Sequence, residues 1–123
     1  MKIISTENAP MAIGPYCQAT VSNGFVFTSG QIPINPASNT VEAQTIEEQA
    51  RQVMLNLKAV LSASGTSFDR VVKTTCFLSD MELFSKFNDV YAEFFVNKPA
   101  RSCVAVKELP KNVLCEVEVI AEI

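Results

Sequence analysis

The chain contains no histidine among its 123 residues. Ser-His and Cys-His nucleophile pairs and most zinc sites depend on that side chain, so the sequence argues against all of them together. The four glycines are scattered along the chain and form no glycine-rich phosphate loop. We therefore expect no metal and no cofactor, and we look for the chemistry in other side chains.

Basic residues are outnumbered by acidic ones, and the net charge is −3. A protein of this charge has no general attraction for nucleic acid or for an anionic membrane. No apolar run approaches the roughly 20 residues of a membrane span, and the N-terminal segment has no apolar stretch of signal-peptide length. The four cysteines form no C-x-x-C pair. These features predict a cytoplasmic protein with free thiols and with neither nucleic acid nor membrane as a partner.

A single domain over residues 1–123 is expected, because a chain of this length with 48% hydrophobic residues can bury one substantial core. Its first predicted element is a β-hairpin, since the dipeptide Asn23-Gly24 suits a type I′ turn. The turn sets a register in which Tyr16 faces Gln31. Alternation along the strands then places four side chains on one face: Tyr16, Gln18, Ser29 and Gln31.

The rest of the chain predicts two helices and three further strands. Thr45 and Glu48 fit a capping box at the start of a helix that Gly65 ends. A strand follows at 71–78, then a helix capped by Ser79 or Asp80 that stops before Pro99. The last two strands are expected at 101–106 and 113–123. The predicted fold is α+β, a mixed β-sheet with two helices on one face. The strands are apolar on both faces, which indicates a homo-oligomer.

Arg101 is the main candidate for chemistry. Alternation places it on one strand face with Cys103 and Ala105. The loop at 109–112 predicts an antiparallel return that would set Cys103 opposite Glu116, so that a guanidinium, a thiol and a carboxylate meet. An arginine fork suits a substrate carboxylate, and a nearby carboxylate can activate water. A plainer interpretation stays open, namely a surface arginine, a core cysteine and a polar strand face.

Several motifs resemble those of the RidA (YjgF) family of reactive-intermediate deaminases. They are Gly14-Pro15-Tyr16, Thr28-Ser29-Gly30-Gln31-Ile32, Pro99-Ala100-Arg101-Ser102-Cys103-Val104, and Leu109-Pro110 followed by Glu116. Cys115 and Val117, on either side of the glutamate, are small departures from the family pattern. The resemblance implies a chorismate-mutase-like homotrimer with sites between subunits. It also implies hydrolysis of 2-imino acids and their enamine tautomers to 2-keto acids and ammonia.

The resemblance assigns a role to each matching residue. Arg101 would pair with the substrate carboxylate, Glu116 would position the attacking water, and Cys103 would line the pocket through its thiol or its backbone. The wall would be completed by Tyr16, Ser29, Gly30, Phe87 and Asn88, in part from a neighbouring subunit. Two alternatives remain open: a non-catalytic regulatory trimer that binds small carboxylates, and an RNA-acting protein, which the acidic charge disfavours.

Overall fold

Six strands and two α-helices follow one another in the computed structural model, which describes all of residues 1–123. The strands are β1 (Lys2–Ile4), β2 (Ala19–Ser22), β3 (Phe25–Thr28), β4 (Val71–Leu78), β5 (Ala100–Ala105) and β6 (Cys115–Glu122). The helices are α1 (Ile46–Ala63), which lies between β3 and β4, and α2 (Phe84–Phe94), which lies between β4 and β5. Neither helix is long and apolar enough to cross a membrane.

All six strands form one sheet in the order β1-β2-β3-β6-β4-β5. Every neighbouring pair is antiparallel except β4 and β5, which are parallel and are joined through α2. The main core lies between one sheet face and both helices, with Leu57 of α1, Phe87 of α2 and Val117 of β6 fully buried. The predicted mixed sheet with two helices on one face is therefore confirmed.

Local signals in the sequence set several boundaries as predicted. Asn23 and Gly24 both have positive φ, and Ser22 pairs with Phe25 across the turn. The capping box at α1 is complete, because Thr45 accepts from the Glu48 amide and the Glu48 carboxylate accepts from the Thr45 amide. Asp80 caps a short 3-10 turn that leads into α2.

The predicted hairpin of β5 and β6 is wrong. Strand β4 lies between them, pairing with β5 on one side and with β6 on the other. Cys103 is therefore opposite Cys76 of β4, while Glu116 is opposite Phe77. The long loop after β5 carries the chain past β4, and loop length in the sequence does not distinguish that path from a direct return.

The far end of the first hairpin also differs from the prediction. Pairing of the two arms ends where the Ser29 amide donates to the Gln18 carbonyl. Phe27 pairs with Ile120 but Gln31 pairs with Val117, so four residue steps on one side match three on the other. Because of this β-bulge, Gln31 pairs with Val117 of β6 and not with Tyr16, although Gln31 and Tyr16 still line one cavity. Strand β1, which has three residues, was not predicted from the sequence.

The sheet face opposite the helices remains largely uncovered in the single chain. Phe25, Phe27 and Val104 lie on it and are between 37% and 46% exposed. A row of exposed large apolar side chains on a sheet is typical of a surface that meets another protein chain. This agrees with the apolar second face predicted from the sequence.

Loss of the α1 cap should lower stability. We expect Thr45→Ala to reduce the free energy of unfolding by about 1 kcal/mol, because the Glu48 amide loses its acceptor. Thr45→Ser, which keeps the hydroxyl, should stay close to the parent chain. Urea unfolding followed by circular dichroism measures both, at one protein concentration because association adds to apparent stability. Equal losses in the two variants would contradict this role of the hydroxyl.

Candidate functional site

Arg101 lies at the start of β5, and its guanidinium extends over α2. Nη1 donates a hydrogen bond of 2.6 Å to Oδ1 of Asn88. The guanidinium carbon lies 4.6 Å from the centre of the Tyr91 ring and 5.4 Å from that of Phe84. The two ion pairs of the chain, Arg51–Glu93 and Arg70–Glu122, do not include it. A guanidinium has five donors in a fixed fork, so most of them stay available for an anion.

A cleft of about 690 Å³ opens beside this guanidinium. It lies between α2 and the turn that enters β5, with Ala92, Val96 and Pro99 as its apolar wall. Asp89 and Lys98 add one charge of each sign. The cleft is large enough for a small organic acid, and Arg101 gives it a donor pair suited to a carboxylate.

Cys103 lies two residues further along β5 and is half-buried. Burial raises the pKa of its thiol, and the nearby Arg101 charge and the Cys76 thiol offset only part of that effect. The thiol is therefore a weak nucleophile at neutral pH. The backbone amide of Cys103 is better placed than its thiol to contact a ligand. The Val106 amide donates to the Leu78 carbonyl of β4, and successive amides of a strand point in alternate directions. The Cys103 amide thus faces the unpaired outer edge of the sheet.

Glu116 lies on the sheet face opposite the helices, since its neighbours Cys115 and Val117 point into the core. Burial raises the pKa of its carboxyl, and the nearby Glu118 charge adds to the rise. Its carboxylate lies over Gly30, where a Cβ atom would stand only 2.6 Å from Oε1. Glycine at position 30 therefore makes room for the carboxylate.

Ser29 and Tyr16 lie on the same side of the molecule as Gly30. The Ser29 hydroxyl donates to the Cys17 carbonyl at 2.6 Å, which ties the strand end to the preceding loop. Tyr16 is 55% exposed and, with Gly30, lines a second cavity of about 190 Å³. These residues and Glu116 form one group, which we call the glutamate half-site.

The second group, Arg101, Asn88 and Cys103, we call the arginine half-site. The two half-sites do not meet within one chain. Arg101 of β5 pairs with Thr74 of β4, which in turn pairs with Val119 of β6. Glu116 therefore lies two strands away from Arg101 and three residues from Val119 along β6. Strand spacings make that a separation of about 14 Å between Cα atoms, with the side chains on opposite faces. A small ligand cannot touch both groups in one chain.

Most predicted site residues thus fall into one of two groups, with one exception. Phe87 has no accessible surface, and it supports the arginine half-site from within the core. Tyr91 was not among the site residues predicted from the sequence, yet its ring lies closer to the guanidinium than that of Phe84. Its spacing from Asn88, three residues on one helix, was the available signal. No three His, Cys, Asp or Glu side chains are grouped so that they could hold a metal ion.

Comparison with known proteins gives one family match, whose description is Endoribonuclease L-PSP, over residues 6–123. A relative called putative regulator AldR, from Lactococcus lactis, is 53% identical, with 100% of this chain and 98% of that protein aligned. The 2-iminobutanoate/2-iminopropanoate deaminase of Escherichia coli is 47% identical, over 98% of this chain and 96% of its own length.

A solved structure described as Escherichia coli TdcF with bound serine has the same fold. It is 43% identical, and the superposition has a TM-score of 0.94 over 100% of this chain and 99% of that one. The names of these relatives and of the family differ between regulator, deaminase and endoribonuclease. The chain is therefore related to these proteins over nearly its whole length, but their names do not agree on one activity.

The close approach of Gly30 and Glu116 can be tested by a double-mutant cycle. Gly30→Ala should lower the free energy of unfolding by about 1 kcal/mol, because the new methyl group displaces the carboxylate. In a Glu116→Ala background the same substitution should cost almost nothing. Urea unfolding of the four proteins at one concentration gives the coupling. Equal costs in both backgrounds would mean that the two residues do not collide.

The raised pKa of Glu116 predicts a pH-dependent effect of its replacement. The unfolded carboxyl ionises near 4.5, whereas the folded one holds its proton to higher pH. Ionised Glu116 therefore costs stability above that range, and the cost vanishes where both states are protonated. Glu116→Gln should be more stable than the parent at pH 7 and equal to it at pH 3.5. Exposed Glu118, replaced by Gln as a control, should give a smaller gain. A Glu116→Gln gain that persisted at pH 3.5 would contradict this explanation.

Proposed function

The chain belongs to the RidA (YjgF) family, and on that premise we propose that it hydrolyses reactive 2-imino acids and their enamine tautomers to 2-keto acids and ammonia. The observation that carries the proposal is the environment of the Arg101 guanidinium. It is held in place by an amide and by aromatic rings, with no acid paired to it. An arginine kept in this way retains its charge and its donors for a substrate carboxylate.

Substrate binding follows from the arginine half-site. The guanidinium of Arg101 binds the carboxylate of the imino acid, and the outward-facing amide of Cys103 donates to it at the sheet edge. The imine carbon, one bond away, is thereby held in a fixed position. Proximity of this kind can supply several kcal/mol of the barrier, up to about 7–11 in favourable cases.

Glu116 serves as the base in the chemical step. Its carboxylate takes a proton from water as the oxygen adds to the carbon of the protonated imine, giving a neutral carbinolamine. The Glu116 carboxylic acid then gives that proton to the amino nitrogen. The C–N bond breaks and ammonia leaves, while the Glu116 carboxylate takes the remaining hydroxyl proton as the C=O bond of the ketone forms. An imine is already electrophilic, so no covalent nucleophile is needed. Burial raises the pKa of Glu116, which makes its carboxylate a stronger base than a solvated one.

The reaction requires Arg101 and Glu116 on one substrate, so we propose that the active unit is a homotrimer with each site between two subunits. Strand β5 is one of the two outer strands of the sheet, and the face that carries Glu116 also carries exposed Phe25 and Phe27. A neighbouring chain that covers this face can bring its own Glu116 to the β5 edge. We also place the protein in the cytoplasm, where four free cysteines remain reduced.

The relatives support this choice of chemistry. The Escherichia coli relative bears the deaminase name, and serine, the ligand in the TdcF structure, carries the carboxylate that Arg101 would bind. The family description names an endoribonuclease, but a net charge of −3 gives this chain little attraction for RNA. The regulator name of the Lactococcus relative favours one alternative, a trimer that binds a small carboxylate without turning it over.

Ammonia release from freshly generated 2-aminocrotonate tests the proposal. Arg101→Ala should raise KM about 10- to 100-fold, because it removes charge-assisted hydrogen bonds to the carboxylate. Arg101→Lys should recover only part of this loss, since it keeps the charge and loses the fork. Glu116→Gln should lower kcat about 100-fold or more while 2-oxobutanoate still binds.

Two matched variants serve as controls. Arg51→Ala and Glu47→Gln each remove an exposed charge from α1, which contributes no residue to either half-site, and should leave turnover unchanged. Normal turnover by Arg101→Ala would refute the carboxylate anchor. A parent protein that binds 2-oxobutanoate but releases no ammonia above the uncatalysed rate would establish the regulatory alternative.

A further inference from the structure

A buried hydrogen bond ties α2 to the sheet directly beneath Arg101. Thr74 of β4 is the pairing partner of Arg101 in the parallel ladder, and its side chain has no exposed surface. Its hydroxyl lies 2.8 Å from the Tyr91 hydroxyl. The strand that carries the arginine and the helix that carries the tyrosine are thus connected through one neighbouring residue.

The Tyr91 ring packs against two other aromatic rings. Its centre lies 4.4 Å from that of Phe95 and 6.0 Å from that of Phe87. The hydrogen bond to Thr74 restricts the ring further, at its hydroxyl end. The Arg101 guanidinium lies over this ring, with its carbon 4.6 Å from the ring centre.

A neutral ring has an advantage over a carboxylate in this position. A carboxylate would form an ion pair with Arg101, neutralise it and compete with an anionic substrate. An aromatic face attracts the cation through its quadrupole and leaves the charge and the outer donors free. Burial raises the pKa of Tyr91, so the hydroxyl stays protonated and the ring stays neutral.

We propose that Tyr91 is a positioning residue, whose ring, locked by Thr74, holds the Arg101 guanidinium in the orientation that binds carboxylate. Asn88 contributes a second contact one turn earlier on α2. The inference rests on the proposed function, in which Arg101 is the anchor. Tyr91 itself acts through Arg101 and is assigned no contact with the reacting atoms.

Affinity for 2-oxobutanoate, a product of the proposed reaction, measures this role without requiring turnover. Tyr91→Leu removes the ring and should weaken binding about 10-fold. Tyr91→Phe keeps the ring and should weaken it no more than about 3-fold. KM should rise with kcat nearly unchanged, since the carboxylate contact is the same in the ground and transition states. Phe68→Leu, a matched control in the same aromatic cluster, should lower the melting temperature and leave affinity unchanged.

Graded fluorination of the ring separates positioning from packing. Phenylalanine with one, two and three fluorines at position 91 keeps the shape and progressively weakens the attraction of the ring for a cation. The logarithm of the dissociation constant should rise in step with fluorination, whereas the melting temperature should show no such trend. This series also replaces Tyr91→Leu as the test if the leucine variant does not fold.

The outcomes distinguish the two levels of the proposal. No binding by the parent protein, or unchanged affinity in Arg101→Ala, overturns the anchor and the role of Tyr91 with it. Loss of binding in Arg101→Ala with normal affinity in Tyr91→Leu, or a flat response to fluorination, overturns the role of Tyr91 alone. A graded loss of affinity at unchanged melting temperature establishes it.

Discussion

Strand β4 pairs with β5 on one side and β6 on the other, and the design of the site depends on this arrangement. It sets Arg101 and Glu116 two strands apart and on opposite sheet faces. Each is then surrounded by its own supporting group: α2 for the arginine, and the end of the first hairpin for the glutamate. One chain therefore presents two separate halves of the candidate site.

The features that sequence could predict are those decided by neighbours in the chain. Asn23-Gly24 specified its turn because few other residues accept two positive φ angles, and Thr45 with Glu48 specified a helix start through their own hydrogen bonds. Strand alternation placed Arg101 and Cys103 on one face, and they lie beside Thr74 and Cys76 of β4. All of this chemistry acts over a few residues.

The features that sequence missed depend on contacts between distant segments. Nothing local to residues 101–123 indicates that β4 inserts between β5 and β6, because the insertion is decided by burial of Cys76 and Leu78 among strands from both sides. The bulge after Ser29 is a second case, since a one-residue shift leaves no compositional mark. The position of Tyr91 under the guanidinium follows from α2 crossing the β4–β5 pair, which is again a matter of topology.

Separation of the two charges explains why a site built from an arginine and a glutamate can remain ready for substrate. Adjacent in one chain, the guanidinium and the carboxylate would pair and satisfy each other. The fold keeps the two side chains on opposite faces of the sheet. The Arg101 guanidinium lies over the neutral ring of Tyr91, and the half-buried Glu116 carboxyl, whose pKa is raised, lies over Gly30. In the proposed trimer they approach only across a subunit boundary, where a substrate occupies the space between them. The carboxylate of that substrate then takes the place at Arg101 that an internal acid would have filled.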